Sequence, residues 1–396
     1  MASAGAMVRA EDWPQFRGPD GQGHSDAHGL PTEWGETRNI TWKVPVPGRG
    51  WSSPVVADGR VWLTTATQNG REGSLRLLAF DVGSGRSILD VDVFRLRNSA
   101  LLNPKNSLAS PTPIVEGDRV YVHFGAEGTA AVSTSGEVVW KTRLQYESQH
   151  GNGGSPVLYG DVLIFSGDGF DAAFVVALDK RTGKTRWRTA RPEPWSQAYS
   201  TPLVIRVDDR DMIVSAGAFH ALAYDPQNGR EIWRVDYPEG FSNVPRPVYG
   251  AGFVFIATGF QQPSILAVRP NGKGNVTKSH IAWTLSRGAP LTPSPLLVGN
   301  DLYIATDAGI VSNVDAATGA VRWQHRLGAA VSASPILCDG HVYFLDEEGR
   351  TTVIDPGPAF RQVAVNSLDG AALASMAVAS QSFFIRTATH LYRIAK

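Results

Sequence analysis

The chain has 396 residues, and 42% of them are hydrophobic, which is enough for a large buried core. Its 37 basic and 37 acidic residues balance and are scattered, which argues against binding to nucleic acid or an anionic membrane. No apolar run approaches the roughly 18 residues of a membrane span. The single cysteine, Cys338, excludes an intramolecular disulfide, a CxxC metal knuckle and CxxCH haem attachment.

The N-terminal region divides into two segments. Residues 1–10 read MASAGAMVRA and are typical of the end of a secretory signal, although its apolar core is missing. We therefore expect a periplasmic or secreted protein, and a cytoplasmic location stays open. Residues 11–38 form a polar leader that we expect to pack on the rest of the chain. Trp13 and Phe16 would cover apolar surface there; a docking segment for a partner is the alternative.

A repeated pattern fills the remaining chain, residues 39–396. Each copy has small polar residues, then Pro, a short apolar pair, an Asp/Gly turn and an apolar strand. The first copy is Trp51-Ser-Ser-Pro54-Val-Val-Ala-Asp-Gly, and successive copies lie 40 to 59 residues apart. This spacing is typical of four-stranded propeller blades. The anchor residues are Pro54, Pro113, Pro156, Pro202, Pro247, Pro295 and Pro335, with Met376 in an eighth copy that lacks the proline.

The second half of each repeat carries its own signature, as in Ala177-Leu-Asp-Lys-Arg-Thr-Gly183-Lys-Thr-Arg-Trp187. The Asp-x-x-Thr-Gly element predicts a turn in which Gly supplies a positive φ, followed by an outer strand that ends in Trp. We expect the indole to cover the seam between neighbouring blades. No segment shows a sustained helical period, so the sequence predicts an all-β fold.

The end of the chain predicts how the ring closes. The last repeat has only three strands before Lys396, whereas a spare outer strand with its Trp stands near the start, at about residues 39–44. Pairing the two would remove both sheet edges. The sequence therefore predicts one eight-bladed β-propeller of four-stranded antiparallel blades, with the last blade completed by the N-terminal strand.

The Ala-x-Asp-x-x-Thr-Gly-x-x-x-Trp units resemble the pyrroloquinoline-quinone-like (PQQ-like) propeller repeat family, over about residues 39–396. That family includes quinoprotein alcohol dehydrogenases and the propeller lipoprotein of outer-membrane β-barrel assembly. The leader 12–20, with residues 48–54, resembles exported propellers common in planctomycetes. The resemblance implies either a scaffold or a dehydrogenase that uses PQQ and calcium. The enzymes typically carry an adjacent cysteine pair, and this chain has one Cys.

Candidate binding residues lie in the segments that lead into the innermost strands, because these converge on one mouth of a propeller channel. Together they would line a polar funnel for a neutral or anionic ligand, with arginine donor forks and two aromatic walls. The alternative is structural capping of the blade ends around water. The residues are Arg49, Trp51, Asn106, His150, Asn152, Tyr199, Asn243 and Arg246.

No catalytic set can be assigned. His150 is the best single candidate for chemistry, but no nucleophile or carboxylate stands beside it in sequence, so a structural role is favoured. Asp168 and Asp171 could bind a cation, although solvated turn residues are the preferred interpretation. GxSxG, HExxH, Walker and EF-hand patterns are absent.

The sequence favours a monomeric, non-catalytic exported propeller that binds a protein partner or a polar or saccharide ligand at the funnel. We expect no metal and no cofactor. The alternative function is a PQQ- and calcium-dependent dehydrogenase that uses the same funnel.

Overall fold

The computed structural model describes residues 12–69, 72–96, 102–193 and 197–396, so the signal-like residues 1–10 lie outside it. The described chain is almost entirely β-structure, with one short 3₁₀ turn at Gly125–Glu127. Eight antiparallel sheets follow one another along the chain, and the innermost strands of several neighbouring sheets, including the eighth and the first, are in contact. This confirms the predicted eight-bladed β-propeller.

The strands of each blade run from the channel outwards, and blades are numbered by their innermost strands in chain order. Blades 1 to 4 comprise Val55–Ala57, Arg60–Asn69, Glu72–Asp81 and Ser87–Arg95; Ile114–Glu116, Arg119–His123, Thr129–Ser133 and Val138–Thr142; Val157–Tyr159, Val162–Asp168, Ala173–Asp179 and Thr185–Ala190; and Leu203–Val207, Arg210–Ala216, His220–Tyr224 and Glu231–Asp236. Blades 5 to 8 comprise Val248–Gly250, Phe253–Ala257, Ile265–Val268 and Ile281–Leu285; Leu296–Val298, Asp301–Ala305, Ile310–Asp315 and Val321–Arg326; Ile336–Cys338, His341–Leu345, Arg350–Asp355 and Arg361–Ser367; and Ala377–Ala379, Ser382–Arg386, His390–Ile394 and Ile40–Pro45.

Blade 8 closes the ring as predicted. Its outer strand, Ile40–Pro45, pairs antiparallel with His390–Ile394, from Ile40 opposite Ile394 to Pro45 opposite His390. The first described long strand of the chain is therefore held by the last strand. This pairing joins the two ends of the repeat region and removes the edges that an open ring would expose.

The middle strands carry the core. All seven residues of Ala173–Asp179 are buried, because both faces of a blade pack against neighbouring blades. For this reason these strands show continuous apolar runs instead of an alternating pattern. The hydrophobic clusters accordingly lie between blades; one combines Leu77 and Val93 of blade 1 with Val120 and Val132 of blade 2.

In five blades, the tryptophan of the outer strand joins one blade to the next. Trp187 of blade 3 donates its indole N–H to the Pro226 carbonyl in the turn of blade 4, at 3.0 Å. Gly229 of that turn has φ +72°, and a Cβ on it would lie 2.5 Å from the Trp187 ring. The Gly of the repeat is thus required both by the turn and by the indole above it. Equivalent bonds join Trp42 to Val82, Trp140 to Lys180, Trp283 to Ala316 and Trp323 to Gly357.

Two blades gain a fifth, parallel strand that the repeat pattern does not predict. His24–Ser25 of the leader pairs with the innermost strand of blade 7, at Leu337 and Cys338. Gly274–Asn275, from an extended connection in blade 5, pairs with Trp233 and Arg234 on the outer edge of blade 4. In the described part of the chain, no helix is long and apolar enough to cross a membrane.

Candidate functional site

A cavity of about 600 Å³ opens where the segments that lead into the innermost strands converge, and we call it the funnel. Four of the residues singled out from the sequence line it: Trp51, Asn106, His150 and Tyr199. Its other lining residues come from nearly every blade. They include Phe16 of the leader, Lys105, Gln197, Phe241, Val244, Phe260, Leu291, Asp307, Ser332 and Leu373.

The wall of the funnel carries a ring of hydroxyl groups. The residue before each anchor position is Ser or Thr in seven blades, and these side chains line the cavity. Along two runs of the ring, a hydroxyl oxygen accepts a hydrogen bond from the backbone N–H of the preceding blade, as from Thr112 N to Ser155 Oγ at 2.9 Å. Each such hydroxyl keeps its proton to donate to a ligand or to water. The ring comprises Ser53, Thr112, Ser155, Thr201, Ser294, Ser334 and Ser375.

Blade 5 breaks this ring, because Arg246 stands where the other blades have Ser or Thr. The Arg246 side chain turns away from the funnel and donates from Nη1 to the carbonyls of Phe16 and Gly21 in the leader, each at 3.0 Å. A Cβ on Gly21 would lie 2.2 Å from that same nitrogen, so the leader approaches as closely as only glycine allows. Arg246 therefore holds the leader in place.

The leader forms the floor of the funnel. Trp13 is fully buried and exchanges two backbone hydrogen bonds with Val56 of blade 1. Farther along, the Gly23 carbonyl accepts from Leu337 N of blade 7, at 2.8 Å. The leader also accepts from Val115 N of blade 2 and from Tyr249 N of blade 5, so it crosses the ring, and Phe16 lines the cavity. We infer from these contacts that the funnel is closed at its lower end.

The segment 102–107 forms part of the rim and is fixed to His150. The Asn106 side chain donates to the His150 carbonyl at 2.7 Å, and Leu102 forms a β-bridge with His150. His150 itself has φ +63°. Within the described residues, no hydrogen bond joins its imidazole to a carboxylate. The sequence left open whether residues 95–105 plug the funnel; part of that segment, 97–101, lies outside the described residues.

Two aromatic residues, which precede blades 1 and 4, form separate parts of the wall. Tyr199 is buried, and its hydroxyl donates to the Gln149 carbonyl at 2.9 Å. Burial raises the pKa of the Tyr199 phenol, so it stays protonated. Trp51 is half-buried, and its indole N–H has no hydrogen-bond partner among the described residues. Because this nitrogen is itself buried, Trp51 contributes its aromatic surface to the funnel and not its N–H.

The remaining predicted residues lie outside the lining. Arg49 is exposed and donates to the Pro104 carbonyl at 2.9 Å, which supports the rim. Asn152 donates weakly to the Gly154 carbonyl. Asn243 is fully buried and donates to the Ala257 carbonyl at 3.0 Å. These three side chains, like Arg246, support the funnel from behind or beside it.

An ion pair crosses part of the mouth. Lys105 Nζ lies 2.7 Å from Glu347 Oε1, which comes from the turn between the second and third strands of blade 7. Ser332 Oγ donates to the same oxygen at 2.6 Å. This contact could not be predicted from the sequence, because the two residues lie 242 positions apart and neither belongs to the repeat motif.

The acidic residues are already bound to other groups. Asp307, which lines the funnel, accepts from the backbone N–H of Leu291 and Thr292 and from the Thr292 hydroxyl. Asp168 is not a solvated turn residue as expected, because it is fully buried and paired with Arg191 at 2.7 Å. Across the described residues, no group of three or more His, Cys, Asp or Glu is placed to hold a metal ion.

These donors do not fit a calcium-bound quinone. Calcium takes six to eight oxygen ligands, commonly several carboxylates. The carboxylate that lines the funnel, that of Asp307, already accepts three hydrogen bonds. The cysteine lies in the innermost strand of blade 7, where burial raises the pKa of the Cys338 thiol.

Comparison with solved structures shows the fold alone, because the sequence identities are low. BamB from Moraxella catarrhalis superposes with a TM-score of 0.62 at 12% identity, over 90% of this chain and 99% of that one. The quinohemoprotein alcohol dehydrogenase of Comamonas testosteroni gives a TM-score of 0.49 at 12% identity, over 98% and 81% of the two chains.

Sequence comparison finds one enzyme that matches part of the chain and one family that matches most of it. Lanthanide-dependent methanol dehydrogenase of Methylorubrum extorquens is 27% identical over 143 residues, which span 31% of this chain and only 22% of that enzyme. The family described as outer membrane protein assembly factor BamB matches residues 30–174, 171–262 and 218–362. Because these matches cover most of the chain, the protein belongs to this family of PQQ-like propellers.

Proposed function

We propose that this protein is an exported, non-catalytic binding propeller that receives a segment of a partner protein in its funnel. The observation that carries the proposal is Phe260, which is 54% exposed at the rim of the cavity. A large aromatic side chain left in solvent beside a cavity is typical of a protein interface.

The rim is built to present aromatic rings. Gly240–Phe241 and Phe260–Gln261 form a short antiparallel strand pair beside the mouth. Within it, the Phe241 and Phe260 rings meet edge to face, with centroids 5.5 Å apart. Phe219 extends this group, 6.3 Å from Phe241. A preformed aromatic surface loses little conformational freedom when a partner binds, which favours affinity.

The funnel below the rim suits one or two side chains of a partner. Its volume of about 600 Å³ lies within the range of ligand sites. Apolar residues such as Val244, Leu291 and Leu373 alternate with the hydroxyl ring, so a peptide can bury apolar atoms and still satisfy its polar groups. Among the described residues, no carboxylate is hydrogen-bonded to the His150 imidazole to orient it as a base, which favours a binding role over catalysis.

A small saccharide is the second candidate, because Trp51 and Tyr199 offer aromatic faces above a ring of hydroxyl groups. Thermal-shift measurements with cell-wall and plant glycans separate the two. A dose-dependent rise in melting temperature that is lost in Trp51→Ala would favour the saccharide.

The proposal is tested by selecting a displayed library of random peptides against the purified protein. Selected peptides are then synthesised, and their affinities are measured by calorimetry. We expect micromolar peptides whose affinity falls by about tenfold in Phe260→Ser, since truncation of a central aromatic anchor costs about 1–2 kcal/mol.

The matched control is Val139→Ser. Val139 is 39% exposed on the outer strand of blade 2, away from the funnel, and its change should leave affinity unaltered. Selection of no peptide, or of peptides that bind wild type and Phe260→Ser equally, would contradict a binding role for this rim.

A further inference from the structure

Three arginine side chains are buried around the funnel without an ion-pair partner among the described residues. Arg17, Arg246 and Arg386 are between 1% and 3% exposed. Their hydrogen bonds go to uncharged groups, as from Arg17 Nη2 to the Pro295 carbonyl at 2.7 Å and from Arg386 Nη1 to Ser52 Oγ at 2.8 Å. Burying an unpaired charge is costly, so folded proteins rarely keep one without a use for it.

These arginines lie directly behind the funnel wall. Arg17 follows Phe16 in the chain and donates to the Ser294 carbonyl. Phe16 and Ser294 both line the cavity. Arg246 donates to the Phe16 carbonyl. Arg386 contacts Ser52, which stands between the lining residues Trp51 and Ser53. Positive charge is thus placed along the floor and one side of the cavity.

The three guanidinium groups stay charged at neutral pH. Burial, together with the charge of Arg246, lowers the pKa of Arg17 to about 9. Burial lowers the pKa of Arg246 to about 10 and that of Arg386 to about 9. Asp20 is the carboxylate whose charge acts on Arg17 and Arg246, and it is hydrogen-bonded to His24 at 3.0 Å. With Lys105 at the mouth, four cations stand against three carboxylates, those of Asp20, Asp307 and Glu347, which leaves a small net positive charge around the funnel.

A positive wall of low dielectric raises the concentration of anions in a concave site. The donors that an anion needs are present in the ring of hydroxyl groups. The mouth already holds one carboxylate, that of Glu347, between Lys105 and Ser332. Glu347 shows that a carboxylate of the chain itself fits this edge of the funnel.

We propose that the segment received by the funnel is acidic: a partner peptide whose Asp or Glu carboxylates lie over this positive wall and compete with Glu347 for Lys105 and Ser332. The inference rests on the proposed function and specifies the partner's chemistry. Its apolar residues would contact Phe241 and Phe260 at the rim, while its carboxylates accept hydrogen bonds from the hydroxyl ring below.

The test uses capped synthetic peptides of alternating Phe and Glu, with Phe/Gln and Phe/Lys versions of the same length. Affinity for the full-length protein is measured by fluorescence anisotropy. We expect the Glu peptide to bind about tenfold more tightly than the Gln peptide and the Lys peptide not to bind. This preference should shrink as NaCl rises from about 50 to about 500 mM, because salt screens charge attraction.

Two surface variants should change the affinity for the Glu peptide in opposite directions. Lys105→Gln removes a cation from the mouth and should weaken binding of the Glu peptide by about threefold. Glu347→Gln removes the competing carboxylate and should strengthen it by about the same factor. Lys184→Gln, an exposed lysine on a turn of blade 3, is the charge-matched control and should change nothing. Arg386→Met should reduce the preference for the Glu peptide over the Gln peptide. If this variant does not fold, the surface variants and the salt series still test the proposal.

Equal affinity for the Glu and Gln peptides, or weaker binding in Glu347→Gln, would overturn the acidic-segment proposal while leaving the proposed function in place. Failure of all three peptides to bind at about 1 mM would also overturn it. The proposed function is judged separately, by whether the random library yields peptides that depend on Phe260.

Discussion

Acid should destabilise this propeller through one buried histidine, His123. Its side chain is 1% exposed, with Nδ1 at 2.8 Å from the Thr129 hydroxyl and the ring 4.2 Å from that of Phe165. Burial lowers the pKa of His123 from 6.5 to about 3. The folded protein therefore keeps His123 neutral at pH values where an unfolded chain takes up a proton.

The direction and the magnitude of this acid destabilisation follow from the linkage between proton binding and folding. Below about pH 6.5 the unfolded state binds one more proton than the folded state, so the free energy of unfolding falls as pH falls. The slope is about 1.4 kcal/mol per pH unit until the folded pKa is reached. At pH 5 the accumulated loss due to His123 is about 2 kcal/mol. This loss of free energy hardly depends on the pKa of His123 in the folded protein, as long as that pKa lies well below 5.

The assay is urea unfolding, followed by tryptophan fluorescence, at pH 8 and pH 5. Wild type should lose about 2 kcal/mol more than His123→Gln between the two pH values, because other titrating groups act equally in both proteins. His28→Gln, at a side chain that is 84% exposed, is the matched control and should keep the wild-type pH dependence. Equal losses in wild type and His123→Gln would refute the argument.

Three further changes test how the blades are joined, each read out as a shift in the urea midpoint. Trp187→Phe keeps an aromatic ring but removes the hydrogen bond to the Pro226 carbonyl and part of the buried indole, and should cost about 1–3 kcal/mol. Gly229→Ala should cost about 1–3 kcal/mol, because the residue has φ +72° and the Trp187 ring fills the space of a Cβ. Asp168→Asn should cost about 3–5 kcal/mol, since it leaves the fully buried Arg191 without its counter-charge. An unchanged midpoint in any of the three would contradict the corresponding contact.

The fold could be predicted because its information is local and repeated. Every copy of Asp-x-x-Thr-Gly specifies a turn by itself; in blade 3, Asp179 Oδ1 accepts from both the backbone N–H and the hydroxyl of Thr182. The indole of Trp187 then identifies the outer strand. Ring closure by residues 40–45 could be predicted for the same reason, since a missing strand in one place matched a spare one in another.

The site could be predicted only where it follows the repeat. Trp51 and Tyr199 both line the funnel because each lies three residues before its anchor proline, and His150 lies in the corresponding entry segment of blade 3, six residues before Pro156. Arg246 occupies such a position too, yet its side chain turns to the leader, whose path no repeat specifies. The hydroxyl residue before seven of the eight anchor positions was visible in the sequence, but only the structure shows that these groups form a ring.

The rest of the site depends on contacts between distant segments. Phe260 lies in a short strand pair outside the repeat, with nothing in sequence to mark it as exposed. Lys105 and Glu347 meet only because the ring brings blades 1 and 7 towards the same mouth. Long-range contacts of this kind follow from the whole fold, so they cannot be inferred from one segment at a time.

The pairing of Ile40–Pro45 with the last strand delays completion of the fold during synthesis. The two strands are separated by roughly 350 residues, which a ribosome needs roughly 20 to 70 s to add. Throughout that interval the early strand, with its Trp42, has no partner to pair with. A growing chain of this design depends on chaperones or on unfolded export to keep that strand from pairing with other molecules.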